Sequence, residues 1–269
     1  MTSPQTAFFH LETVNAEIAS GANVLCLPGL FAASWVFEDV LPLIAARGYP
    51  ASAVSFRGHP PLPPMRDIGR QSIGDYCLDA SAAARGLDRP IVIGHSMGGL
   101  VALLLAAQDL VRAAILLSPA PTRGISVLSP PILARMARYL PALLFSRAYL
   151  PIPADLDALT LNMVPPDERA AQRDRFVADS GRASREMALG TFAVAPGDVR
   201  VPMLVVGADG DHFIPLSVSR RMAHKYGAQL HVAKGHGHFL FSEPGWQSEA
   251  KVILDWVDAL PPEINRAQA

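Results

Sequence analysis

Short apolar runs alternate with stretches of helical period along most of the chain. The apolar runs predict strands at Val24–Leu27, Ala51–Phe56, Pro90–Gly94, Ala113–Leu117, Met203–Val206 and Gln229–Val232. Apolar positions three and four residues apart predict helices at Trp35–Arg47, Ile73–Gly86, Gly98–Gln108, Ser217–Tyr226 and Trp246–Leu260. Strands that alternate with helices favour a mostly parallel sheet with helices on both faces, so the pattern predicts an α/β fold.

The alternation fails between about Pro119 and Pro196. This stretch has no β-branched run, and prolines that tend to start or stop helices recur along it, which predicts several short helices. Because it is inserted between two predicted core strands, we expect residues 119–196 to form a helical cap over the strand ends. Residues 1–118 and 197–269 then form the core. The alternative is a structural excursion that takes no part in binding.

Composition narrows the class of protein. The 269 residues are 50% hydrophobic and 17% charged, which is typical of a folded globular protein. A net charge of −1 without a Lys/Arg cluster argues against a nucleic-acid partner. Two cysteines cannot form a disulfide framework. With no secretory signal pattern and no apolar run of about 18 residues, we expect a cytoplasmic protein without stable membrane insertion.

The candidate nucleophile lies in Gly94-His95-Ser96-Met97-Gly98, between a predicted strand and a predicted helix. A serine on a sharp strand-to-helix turn needs small residues two positions before and after it, and Gly94 and Gly98 meet that need. The turn also places Ser96 at a helix N-terminus, where unpaired amides favour developing negative charge. The Met97 amide is therefore a candidate oxyanion donor.

On these residues the chain resembles the α/β-hydrolase superfamily, in its esterase, lipase and thioesterase branch, from about Phe8 to Leu260. The family order of nucleophile, acid and histidine directs attention to Gly207–Pro215, where the acid usually stands four residues before the proline. The resemblance therefore implies Asp211 as the acid. Asp209 is the alternative, and it is otherwise expected to be a turn residue bonded to the local backbone.

The same resemblance assigns His238, in Gly235-His236-Gly237-His238, as the catalytic histidine, with His236 as the alternative. A second oxyanion amide is expected from the loop after the first central strand, where the resemblance implies Leu30, with Phe31 as the alternative. Pro28 stands in this loop where the family often has histidine. The Arg57-Gly58-His59 turn and the residue Glu243 are expected to have structural roles.

The three candidate side chains predict an acyl-enzyme mechanism that uses water as second substrate. Because the sequence has no Gly-x-Gly-x-x-Gly after a strand, no Walker loop and no His-Glu-x-x-His, we expect no cofactor or metal. Serine at position 96 argues against the carboxylate-nucleophile chemistry of haloalkane dehalogenases and epoxide hydrolases. Apolar residues in the predicted cap favour a small-molecule ester with a lipophilic acyl or alcohol part, and Phe31, His95 and Phe239 are the expected substrate contacts. Thioester hydrolysis, lactone opening and acyl transfer use the same triad and stay open. A small-molecule receptor of the same fold is the alternative of another class.

Overall fold

In a computed structural model, which describes residues 8–19 and 21–265, the core of the protein is a seven-stranded sheet of order β1-β3-β2-β4-β5-β8-β9. Its strands are β1 (Phe9–Val14), β2 (Val24–Leu27), β3 (Ala51–Phe56), β4 (Ile91–His95), β5 (Ala113–Leu117), β8 (Met203–Ala208) and β9 (Gln229–Ala233). Six of them pair in parallel, and β1 pairs antiparallel with β3. The predicted α/β fold is confirmed, whereas the sequence did not predict β1.

The direction in which the strands are added reverses at β2. The chain runs outward from β2 to β3 and then returns to place β4 on the other side of β2. Loops that leave the carboxyl ends of neighbouring strands diverge at such a reversal, which opens a crevice where α/β proteins commonly bind ligands. The loop after β2 and the turn after β4 therefore border this crevice.

The helices are α1 (Val40–Ala46), α2 (Ile73–Gly86), α3 (Met97–Ala107), α4 (Pro130–Met136), α5 (Leu140–Leu144), α6 (Pro153–Asp155), α7 (Arg169–Arg173), α8 (Gly181–Ala188), α9 (Leu216–Tyr226), α10 (Trp246–Asp258) and α11 (Pro262–Asn265). One prediction needs correction, because the stretch Trp35–Arg47 is not one helix. It divides into a 3₁₀ turn at Ser34–Phe37 and α1. Pro42 has no amide hydrogen and is tolerated only in a first turn, so the helix begins at Val40.

Residues 119–196, hereafter the inserted segment, leave the sheet after β5 and return to it at β8. The segment carries α4 to α8, a π-helical turn at Leu156–Thr160 and a two-stranded antiparallel ribbon of β6 (Ala148–Tyr149) and β7 (Asp179–Ser180). The short helices agree with the prediction. The ribbon was not predicted, because neither of its strands exceeds two residues. No helix in the described ranges is both long and apolar enough to cross a membrane.

Candidate active site

Ser96 occupies a strained turn between β4 and α3. Its backbone angles are φ 54° and ψ −115°, which a residue with a side chain adopts at a cost. A Cβ on Gly94 would lie 2.2 Å from the Gly98 carbonyl oxygen, and one on Gly98 would lie 2.1 Å from the Leu27 carbonyl oxygen. Both positions must therefore be glycine for the turn to close, and the turn presents Ser96 at the start of a helix.

Helix α3 supplies amide donors beside Ser96. The helix begins at Met97, and the first amides of a helix have no acceptor within it. The Met97 side chain is buried in the hydrophobic core. This geometry leaves the Met97 amide available to an oxyanion at Ser96.

Asp211 and His238 form a buried hydrogen-bonded pair. His238 Nδ1 lies 2.9 Å from Asp211 Oδ2, while Asp211 Oδ1 accepts the amides of Phe213 and Ile214, each at 2.8 Å. A carboxylate is an acceptor, so the hydrogen of the neutral imidazole resides on Nδ1. His238 Nε2 then carries a free lone pair, which is what a general base requires.

The alternative acid and base are engaged elsewhere. Asp209 Oδ1 accepts the Gly235 amide at 2.7 Å, so it ties its loop to the histidine loop instead of bonding the local backbone as expected. His236 Nδ1 lies 3.1 Å from Glu243 Oε2. The structure therefore brings Asp211, and not Asp209, to His238.

Glu243 holds the loop that carries His238. Its carboxyl group accepts the amides of Gly237 at 2.7 Å and Phe239 at 3.1 Å, one residue on either side of the histidine. The carboxyl is almost completely buried, and burial raises its pKa although these amides and His236 act in the opposite direction. Glu243 thus braces the histidine loop, consistent with a structural role.

His95 packs directly against the histidine loop. Its Nε2 lies 2.8 Å from the His238 carbonyl oxygen and its ring centroid 4.8 Å from that of His238. Burial, followed by the repulsion of His238, lowers the pKa of His95 to about 3. His95 is therefore neutral at physiological pH and donates from Nε2 to the His238 carbonyl oxygen.

The loop after β2 passes close to Ser96. A Cβ on Gly29 would lie 3.0 Å from Ser96 Cβ. Phe31 has a left-handed backbone with φ 67°, and its amide donates to Asp179 Oδ2 at 2.8 Å. Because the Phe31 amide is already engaged, Leu30 is the better candidate for the second oxyanion donor.

A cavity of about 370 Å³ joins these elements. Its wall includes six of the residues expected from the sequence to act in catalysis or binding: Leu30, Phe31, His95, Ser96, His238 and Phe239. Most of the remaining wall is apolar and comes from the inserted segment, including Val127, Leu128, Ile132, Leu133, Met136, Leu140, Leu143, Leu144, Leu156, Leu159 and Phe176. Asp211 lies behind His238, outside this wall.

Sequence reasoning missed two parts of the site. The ring of Phe213 lies edge-on to His238 with centroids 5.2 Å apart, and it is the second residue after Asp211. Asp179, in the inserted segment, contacts the loop after β2. Proximity to Asp211 could have indicated Phe213, but no local pattern marks Asp179, which is 148 residues from its partner Phe31.

The profile of the alpha/beta hydrolase family matches residues 24–250, and the chain belongs to this family as a hydrolase. It is 27% identical over 225 residues, 75% of this chain and 74% of the relative, to a 2-hydroxy-6-oxononadienedioate/2-hydroxy-6-oxononatrienedioate hydrolase of Paraburkholderia xenovorans. It is 36% identical over 94 residues, 34% of each chain, to a pimeloyl-[acyl-carrier protein] methyl ester esterase of Neisseria meningitidis. The structure of Paleococcus ferrophilus monoacylglycerol lipase superposes with a TM-score of 0.72 at 20% identity, covering 93% of this chain and 98% of that one.

Proposed function

We propose that the protein is a serine hydrolase that cleaves a carboxylic ester through an acyl-enzyme intermediate. Ser96 is the nucleophile, His238 the general base and acid, and Asp211 the residue that orients His238. One observation supports this proposal: the strained Ser96 and His238, which is hydrogen-bonded to Asp211, both line one apolar cavity. The esterase among the relatives is consistent with it.

In this proposal each step uses an atom of a named residue. His238 Nε2 takes the Ser96 hydroxyl proton as Oγ attacks the carbonyl carbon, and the carbonyl oxygen becomes an anion held by the Met97 and Leu30 amides. The tetrahedral intermediate collapses, the ester C–O bond breaks, and His238 returns the proton to the leaving alcohol. His238 next deprotonates water, whose oxygen attacks the acyl carbon. The bond between that carbon and Ser96 Oγ then breaks, His238 returns the proton to Oγ, and the carboxylic acid is released.

The cavity favours a lipophilic substrate. Its wall from the inserted segment carries mainly leucine, isoleucine, valine and methionine side chains, which gain free energy from contact with an alkyl chain. In this proposal residues 119–196 form a cap over the core of residues 1–118 and 197–269. Phe31, His95 and Phe239 line the same cavity as Ser96, and in this proposal they contact the substrate.

Active-site labelling tests the proposal. Ser96 Oγ should displace fluoride from the phosphorus of a fluorophosphonate and so label the wild type, while Ser96→Ala should neither be labelled nor hydrolyse 4-nitrophenyl butyrate. Ser118→Ala is a matched control, because Ser118 is also buried and follows the neighbouring strand β5, yet lies outside the cavity wall. A wild type that resists the probe and cleaves no ester would refute a serine hydrolase and favour a receptor.

The same protein tests the substrate class. Esters of graded acyl length, with matched thioesters and lactones and with an added alcohol as acyl acceptor, should give the highest kcat/KM for a medium-chain ester. A thioester or lactone turned over much faster than every ester would replace the ester assignment while leaving the triad in place.

A further inference from the structure

Asp179 collects hydrogen bonds from four parts of the chain although it is fully buried. Oδ2 accepts the Phe31 amide at 2.8 Å and lies 3.0 Å from His59 Nε2. Oδ1 accepts the Ser180 amide at 2.6 Å and a short hydrogen bond from the Tyr76 hydroxyl. A buried carboxylate with this many donors has a fixed orientation, because rotating it would leave several of them without an acceptor.

The Phe31 contact belongs to the loop after β2. A left-handed φ is costly for a bulky residue such as phenylalanine, so the surrounding contacts must stabilise it. The Asp179 carboxylate holds the Phe31 amide, and the Phe31 carbonyl accepts the Val177 amide at 2.9 Å. Both contacts come from one short stretch of the inserted segment, which therefore fixes the loop at Phe31.

We propose that Asp179 is a positioning residue that sets the oxyanion loop for catalysis. The proposal rests on the proposed function. Asp179 fixes the peptide plane between Leu30 and Phe31 by binding the Phe31 amide, and this restricts the rotation of the preceding peptide, whose N–H is the Leu30 donor. The inserted segment thus contributes to transition-state stabilisation as well as to the wall of the cavity.

His59 makes this arrangement specific for a carboxylate. Its Nδ1 lies 2.9 Å from the Arg57 carbonyl oxygen and its Nε2 faces Asp179, so both ring nitrogens meet acceptors and both carry hydrogen. An asparagine at position 179 has one oxygen and cannot accept on both sides. Asp179→Asn therefore turns an amide NH₂ toward either the Phe31 and His59 pair or the Tyr76 and Ser180 pair.

A matched pair of variants tests the proposal. Asp179→Asn should lower kcat for 4-nitrophenyl butyrate by about 10- to 100-fold, less than the loss of a whole oxyanion donor, with KM nearly unchanged. Asp79→Asn is the control, because Asp79 is also fully buried and ion-paired, with Arg57, but does not contact the loop after β2. Asp79→Asn should lower the unfolding midpoint and leave kcat of the folded protein within about threefold.

A tetrahedral inhibitor separates positioning from general stability. A butyl boronic acid forms a tetrahedral adduct with Ser96 whose oxygen occupies the oxyanion site, whereas butanone binds as a planar ground-state ligand. Asp179→Asn should weaken inhibition by the boronate at least about tenfold and inhibition by the ketone little. Equal weakening of both inhibitors, or an unchanged kcat, would overturn the proposal.

Tyr76→Phe covers the case in which Asp179→Asn does not fold. This change removes one donor from Asp179 Oδ1 and leaves the Phe31 contact in place. It should lower kcat by about three- to tenfold with the same selective loss of boronate inhibition, and an unchanged kcat would overturn the proposal. A wild type without esterase activity would instead overturn the proposed function, so the two failures are distinct.

Discussion

The change Asp211→Asn tests the geometry of the triad most directly. Two amides, those of Phe213 and Ile214, donate to one carboxylate oxygen, and His238 Nδ1 donates to the other. Asparagine replaces one of these oxygens with an NH₂ group. The NH₂ group then points either at the two amides or at the imidazole. The orientation in which it points at the imidazole keeps both amides hydrogen-bonded, but it is the wrong one for catalysis.

The cost of each orientation gives the expected magnitude. If the NH₂ faces the amides, two buried donors lose their acceptor at about 1–3 kcal/mol each, or about 2–6 kcal/mol together. If it faces His238, the imidazole must accept at Nδ1, so its hydrogen moves to Nε2 and the lone pair that activates Ser96 is lost. The second orientation is favoured by this difference, so the fraction of competent enzyme should fall about 30- to 20,000-fold.

Steady-state kinetics with 4-nitrophenyl butyrate should therefore show kcat reduced by that factor and KM changed by less than about threefold. Asp209→Asn is the matched control, since Asp209 binds only the Gly235 amide, and it should retain most of kcat. An Asp211→Asn variant with more than about a tenth of the wild-type kcat would refute the tautomer argument, and a larger loss in Asp209→Asn would reassign the acid.

Three further changes test the turn, the cavity and the His59–Asp179 pair. Gly98→Ala places a Cβ 2.1 Å from the Leu27 carbonyl oxygen and should destabilise by about 3 kcal/mol in urea melts; wild-type stability would contradict the turn geometry. Leu159→Trp, in the cavity wall, should lower kcat/KM roughly tenfold for a decanoate ester but little for an acetate ester; an equal loss on both esters would contradict the binding site. Burial lowers the pKa of His59, but Asp179 more than offsets this and raises it above 6.5. Burial also raises the pKa of Asp179, but His59 and the other donors more than offset this and hold it below 3.8. The loss of stability in His59→Gln should therefore be greatest between pH 3.8 and 6.5 and shrink as the pH rises through the His59 pKa; a loss independent of pH in thermal melts would refute the charged pair.

Most of what could be predicted from the sequence came from patterns of neighbouring residues. Five of the six parallel strands are buried along their whole length, so each forms a nearly continuous apolar run that predicts its position. The sixth, β9, lies at the edge of the sheet and is mostly exposed or partly buried, yet its predicted bounds differ by only one residue. Strand β1 was not predicted, because it lies at the edge of the sheet, where partly buried and exposed positions are mixed and no continuous apolar run forms. The turn at Ser96 could be predicted from the sequence, because the spacing of its glycines reflects a local steric requirement.

Contacts between distant segments could not be predicted in the same way. The hydrogen bond from the Phe31 amide to Asp179 favours Leu30 over Phe31 as the proposed oxyanion donor, yet no sequence pattern near Phe31 or Asp179 indicates their contact. Asp209 was expected to bond its own turn and instead reaches Gly235 in another loop. Such pairs depend on how two loops are juxtaposed at the sheet edge, and that information belongs to the assembled fold.

The ion pair between His59 and Asp179 bears on how this hydrolase can be re-engineered. Exchanging the inserted segment for that of a relative is an obvious route to a new substrate range, since most of the cavity wall would change with it. A chimera that lacked a carboxylate at position 179 would leave a buried imidazolium and the Phe31 amide without an acceptor. Swaps should therefore be confined to residues 121–176, with the β7 ribbon and its aspartate retained from the parent.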